Sequence, residues 1–200
     1  MKSFGEFNVL VLPGRDGSGD EHWQTLWERL FSEFVRVQQR DWVHPVYAEW
    51  GATLTEAVTV AEKPVLLIAH SAGTSLTMRW ASDQPDLARK VAGAFLVAPS
   101  DRDVLEGSPD NPIQGFGPML LKPLPFRSVV VASQNDPLVS FDRAKIFAQA
   151  WQSSLVDAGM NGHLGSAAKL GVWPQGLVSL GQFLETLLAQ RPQGFSTQNV

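Results

Sequence analysis

The chain predicts an α/β fold: a mostly parallel six-stranded sheet in the order 2-1-3-4-5-6, with helices on both faces. Short, nearly continuous apolar runs alternate with segments of helical period, the pattern of strands buried on both sides. Right-handed crossovers leave few topologies for that alternation. The first run, residues 8–12, closes in Pro13-Gly14. Trp23, Leu26, Trp27, Leu30, Phe31 and Phe34 then mark one face of a helix, with Ser18 and Glu21 at capping-box spacing ahead of it. Residues 35–38 suit a second strand and 53–61 a helix. Residues 64–69 read as a buried strand and 72–82 as the helix after it. Strands four and five are expected at 92–98 and 128–132. Residues 140–151 are helical, with Ser140 as N-cap, and 154–156 form a short sixth strand. The closing helix, 176–190, sets Leu177, Leu180, Phe183, Leu184 and Leu187 on one side.

Composition narrows the class. A length of 200 residues fits one domain, assigned to residues 1–190, with 191–200 expected as a disordered tail. Hydrophobic content of 44% and charged content of 18% mark a chain able to bury a core. The net charge is -4 and no cluster of Lys and Arg occurs, which argues against a nucleic-acid partner. There is no cysteine, so disulfides, thiolate zinc sites and a cysteine nucleophile are all excluded. The N-terminus is too polar for a secretory signal, and no apolar run reaches the ~18 residues of a membrane span. A cytoplasmic protein without a membrane partner is therefore expected. Nothing in the sequence specifies an oligomeric state.

The most informative stretch is Val-Leu-Leu-Ile-Ala-His-Ser-Ala-Gly at residues 65–73. An apolar strand ends in small-x-Ser-x-small and a helix follows. That layout fits a nucleophile elbow, a tight turn with Ser71 at its tip. Small residues are needed because strand and helix backbones nearly touch there. Ala69 replaces the usual first glycine, the smallest departure available. The predicted strand order reverses between strands 1 and 3, and ligands bind at such switch points beyond the carboxyl ends of strands. Ser71 and the glycine loop 14–19 both lie there.

A serine hydroxyl needs a base, and the base needs a group to hold its tautomer. Of four histidines, His22 opens a helix, His44 lies in an aromatic loop, and His70 cannot easily turn back on its neighbour. His163 follows the last strand and is the best candidate. Asp136 ends strand five and Asp101 ends strand four. Asp136 is preferred because it lies nearer the strand that precedes His163 in the predicted sheet. For the oxyanion, the expected backbone N–H donors are Ala72, after the serine, and Arg15, after Gly14. The glycine loop also admits a phosphate-cradle reading, but it lacks the Lys-Ser/Thr of a P-loop. Residues 100–126 form the longest irregular stretch and are expected to cap the site. Trp42, Trp50, Phe116, Met119 and Leu120 are the expected lining of an apolar pocket for a small acyl group, and Trp173 is another loop tryptophan suited to a pocket.

Motifs along nearly the whole chain resemble the small serine hydrolase family of α/β-hydrolases that includes retinoblastoma-binding protein 9. They are Leu12-Pro-Gly with Gly17-Ser-Gly and His22-Trp23, the stretch from Trp42 to Trp50, Ala69-His-Ser-Ala-Gly73 and Val97-Ala-Pro99. Leu124-Pro-Phe126, Ala132-Ser-Gln-Asn-Asp-Pro137, Gly162-His163 and the stretch from Gly171 to Gly176 continue them in order. The resemblance implies an α/β-hydrolase fold without a large lid, with Ser71 as nucleophile, Asp136 as acid and His163 as base. Members with a Leu-x-Cys-x-Glu partner motif have no counterpart in a chain without cysteine. The expected activity is cleavage of a small carboxylic ester, or an amide, through an acyl-enzyme and with no metal or cofactor. The alternative is a non-catalytic interaction module on the same scaffold, since a fold does not by itself fix a function.

Overall fold

The structure, a computed structural model, describes residues 4–105 and 111–189. The expected tail at 191–200 lies outside the described residues. Six strands, β1 (Asn8–Leu12), β2 (Phe34–Arg36), β3 (Val65–His70), β4 (Val91–Val97), β5 (Arg127–Ala132) and β6 (Ser154–Asp157), form one sheet. Its order is β2-β1-β3-β4-β5-β6, as expected, and every neighbouring pair is parallel. All six residues of β3 are buried, which is why this strand carries no polar alternation.

Helices cover both faces. On one side α1 (Trp23–Leu30) and α7 (Pro174–Ala189) bury Trp27, Leu180 and Phe183 against Leu66, Phe95 and Val131. On the other, α2 (Tyr47–Thr59), α3 (Ala72–Asp83) and α6 (Phe141–Trp151) bury Leu54, Leu76 and Phe147 against Leu67, Leu96 and Val130. Two short helices, α4 (Pro85–Ala88) and α5 (Arg102–Leu105), had no distinct sequence signal. Ser140 caps α6 as expected, accepting from the N–H of Arg143.

Several boundaries differ for identifiable reasons. The α1 helix stops at Leu30, and Phe34 opens β2, where Val9 pairs with it. Phe31 and Phe34 kept the helical spacing because both pack on the same core from outside the helix. The capping box at Ser18 does not form. His22 is the N-cap, its Nδ1 accepting from Gln24 N–H at 3.1 Å, while the Ser18 hydroxyl donates to Gln24 Oε1 at 2.7 Å. The α2 helix starts at Tyr47 rather than at residue 53. Its N-cap, Val46, has no capping side chain; instead the Tyr47 N–H donates to the carbonyl of Gln114.

Candidate active site

The turn between β3 and α3 puts Ser71 at φ 53°, ψ −120°, a conformation few side chains tolerate. Its backbone is tied on both sides. The Ser71 N–H donates to Val97 O at 3.0 Å, and its carbonyl accepts from the Thr74 amide and hydroxyl at 2.9 and 2.7 Å. The small flanking residues are dictated by distance. A Cβ on Gly73 would stand 2.2 Å from Leu12 O, and one on Gly14 would stand 2.7 Å from Ser71 Cβ. Ala69 pairs with Leu12 in the sheet and is fully buried, its methyl accommodated in the core. The loop after β1 therefore crosses directly against the serine. Ala72 opens α3, so helix geometry leaves its amide without an intrahelical carbonyl, and Arg15 follows Gly14 in that crossing loop.

His163 Nε2 lies 2.7 Å from Ser71 Oγ. Its Nδ1 lies 2.8 Å from Asp136 Oδ2 and 3.0 Å from Oδ1. Asp136 Oδ1 also accepts from Leu138 N–H at 2.8 Å. The Asp136 side chain has no exposed surface, whereas His163 keeps 20% and Ser71 9% exposure. Solvent and small molecules thus reach the hydroxyl end of the chain of hydrogen bonds and not its carboxylate end. The loops that carry Asp136 and His163 are stitched to each other. The carbonyl of Gly159 accepts from Gln134 N–H at 2.8 Å, Ser133 Oγ accepts from Asn161 N–H at 2.9 Å, and Asn135 Oδ1 accepts from Gly162 N–H at 2.8 Å.

Asp101, the other carboxylate considered, is engaged elsewhere. Its Oδ2 accepts from Arg143 Nε at 2.8 Å, and Arg143 also donates to Asp103. Asp103 in turn accepts from Met119 N–H at 2.8 Å. This ion pair fastens the segment after β4 to α6.

The family pattern described as serine hydrolase matches residues 9–182. The chain belongs to the serine hydrolase family. A YdeN-like hydrolase of Pectobacterium atrosepticum is 36% identical, with a TM-score of 0.80 over 92% of this chain and 93% of that one. The ydeN gene product of B. subtilis is 17% identical, with a TM-score of 0.65 over 92% of this chain and all of that one. A thermophilic esterase of Thermogutta terrifontis is 15% identical, with a TM-score of 0.62 over 90% of each chain. These last two likenesses concern the fold. Curated proteins give no match.

The five residues expected to line a pocket of this serine hydrolase belong to one apolar core or pack against it. Trp42 packs against Gly17 in the crossing loop, and 5.3 Å from Trp50. Trp50 and Phe116 are buried and meet edge to face at 5.6 Å. Met119 is buried in the same core. Leu120 faces a groove with Met78, Ser82 and Pro85, at the C-terminal end of α3 and away from Ser71 at its start. Trp173 stacks on Trp27 in the opposite core and lines a cavity there with Val156, Asn161 and Leu170, apart from the other expected residues. Of the segment expected to cap the site, residues 106–110 lie outside the described residues; further on, Gln114 bridges Val46 ahead of α2 and Gly117 O accepts from Arg79 of α3 at 2.7 Å. The phosphate-cradle reading of the glycine loop weakens too. Two of its amides are already engaged, Asp16 N–H by Trp42 O and Gly17 N–H by Gly14 O. Among the described residues, no helix is long and apolar enough to cross a membrane.

Sequence reasoning missed the two histidines beneath the site. His22 and His70 have ring centroids 4.8 Å apart, and His70 lies 5.1 Å from His163. Burial, then Arg36 and His163, lowers the His22 pKa from 6.5 to about 3. Burial, then His22 and His163, also holds His70 well below its ordinary value. Both rings are neutral in the fold but take up protons in the unfolded chain below about pH 6.5. The unfolded state then binds more protons, so stability is full above that pH and is lost as pH falls toward 3. The slope is ~1.4 kcal/mol per pH unit for each histidine. Urea midpoints measured from pH 7 to 4.5 should fall accordingly. His22→Asn, which keeps a capping acceptor, should flatten the slope. An unchanged slope in that variant would remove His22 from the account.

Proposed function

We propose that this serine hydrolase cleaves a small carboxylic ester, or an amide, through an acyl-enzyme. The observation that carries this reading is the continuous contact from Asp136 through His163 to Ser71 Oγ, at 2.8 and 2.7 Å, on a serine held at positive φ. Ser71 Oγ attacks the carbonyl while His163 Nε2 takes its proton. Asp136 holds the Nδ1–H tautomer and stabilises the imidazolium. The amides of Ala72 and Arg15 bind the oxyanion, with the N-terminal end of α3 favouring the negative charge. Collapse of the adduct expels the alcohol or amine, protonated by His163. Water then enters, gives a proton to the same ring and adds to the acyl carbonyl; collapse breaks the bond to Ser71 Oγ, which takes that proton back from His163, and the acid leaves. The small molecule is the only partner this chemistry requires.

A short acyl group fits this reading best. Trp50, Phe116 and Met119, the apolar side chains available for a tunnel, are packed into the core. A series of p-nitrophenyl esters, combined with fluorophosphonate labelling, tests both points. Labelling at Ser71 is expected, with kcat/KM changing gradually among short chains, since each methylene is worth ~0.8 kcal/mol. It should then fall for long chains. A steady rise through palmitoyl esters would overturn the short-acyl preference. A folded protein that neither labels nor turns over any ester would favour the non-catalytic interaction module instead.

A further inference from the structure

Hydrogen bonds from beneath hold the backbone around His163. His70 Nε2 lies 2.9 Å from the carbonyl oxygen of His163 itself, so it must carry the proton and donate. Trp23 Nε1–H donates to the carbonyl of the next residue, Leu164, at 2.8 Å. Leu164 sits at φ 50°, a costly conformation for a branched side chain, and its side chain is fully buried among Trp23, Trp27 and Trp173. Two neighbouring peptides on the loop are thus pinned by ring donors, at a point where the backbone is strained.

The donors come from elements that are themselves rigid. His70 is the last residue of β3 and the neighbour of Ser71, so nucleophile and donor share one buried strand end. Trp23 is the first residue of α1 and is 1% exposed. His22 packs behind His70, and its Nδ1 is occupied by the Gln24 amide. The row His22–His70–His163 has the look of a proton relay, but its polar contacts are otherwise arranged. His70 points its N–H at a peptide oxygen and not at the His163 ring.

We propose that His70 and Trp23 are positioning residues, whose ring N–H groups hold the His163–Leu164 backbone so that the imidazole stays within reach of Ser71 Oγ. The proposal rests on reading Ser71 and His163 as nucleophile and base. A displacement near 1 Å at such a contact can cost about 100-fold in rate. A neutral donor suits this place, because a charged one would oppose the imidazolium that forms on His163.

The test compares His70→Phe, His70→Gln and Trp23→Phe by steady-state kinetics on a p-nitrophenyl ester and by the second-order rate of fluorophosphonate labelling. His70→Phe keeps a ring but no donor, and should lower kcat and the labelling rate together by about 10- to 100-fold with KM unchanged. His70→Gln, which retains an N–H, should recover most of that loss. Trp23→Phe removes the other donor and should act in the same direction, with thermal unfolding measured to confirm that it folds. His163→Ala supplies the control. In that background His70→Phe should have no further effect, because it acts only through the base. Near-wild-type kcat in both His70→Phe and Trp23→Phe, beside an inactive His163→Ala, would overturn the positioning role alone. An active His163→Ala would instead overturn the reading of the base.

Discussion

Ser71→Ala should abolish turnover and fluorophosphonate labelling while leaving the fold intact. Loss of the nucleophile removes the covalent route, and in hydrolases with this arrangement that loss is on the order of 10⁶ in kcat. The fold should survive because the bonds that define the turn are made by the backbone of residue 71, to Val97 O and from Thr74. Alanine carries the same Cβ as serine, so a φ of 53° costs it no more. Only the side-chain contact with His163 Nε2 disappears. The measurement is kcat on a p-nitrophenyl ester together with thermal unfolding. Turnover within tenfold of the parent would show that another group attacks the carbonyl.

Asp136→Asn should lower kcat by about 10⁴ with little change in unfolding temperature, and Asp101→Asn should do the opposite. An amide at position 136 can still accept from Leu138 N–H. Its NH₂ group cannot accept from His163 Nδ1–H, so the ring favours the tautomer with its proton on the side of Ser71 and cannot act as base. Asp101 is buried but paired with Arg143, whose second partner, Asp103, remains after substitution. Losing a charged hydrogen bond of that kind costs ~2 kcal/mol of stability. The ranking of the two variants in rate and in unfolding temperature is the readout. A large rate loss for Asp101→Asn with an active Asp136→Asn would move the acid to the end of β4.

The strands and their order were legible because each is a short apolar run flanked by turn residues, and right-handed parallel connections admit few arrangements. The contacts at the site were partly legible for the same reason. Ser71 announces itself through local spacing, and Asp136 and His163 each follow a strand whose position in the sheet the topology predicts. The stitching by Ser133 and Asn135 was hidden, although a run of small polar residues after a strand is a signal for such turns. Trp42, Trp50 and Phe116 looked alike as apolar residues outside clear helical patterns. Composition cannot say which of them a core claims.

Periodicity and turn chemistry act over a few residues, so the sequence by itself determined the six strands and the longer helices, the parallel sheet and the place of Ser71 on a sharp turn. The tertiary structure decided what depends on distant partners. The start of α2 is set by the carbonyl of Gln114, and the end of α1 by the pairing of Phe34 with Val9. Which carboxylate meets His163 and which meets Arg143 is set by contacts between distant loops, Asp136 with the first and Asp101 with the second. The hydrogen bond of His70 is made to a carbonyl in a loop that follows the last strand. Each of these is a single hydrogen bond or packing contact between segments far apart in the chain. Its energy depends on geometry to within tenths of an ångström, which no local pattern of residue types encodes.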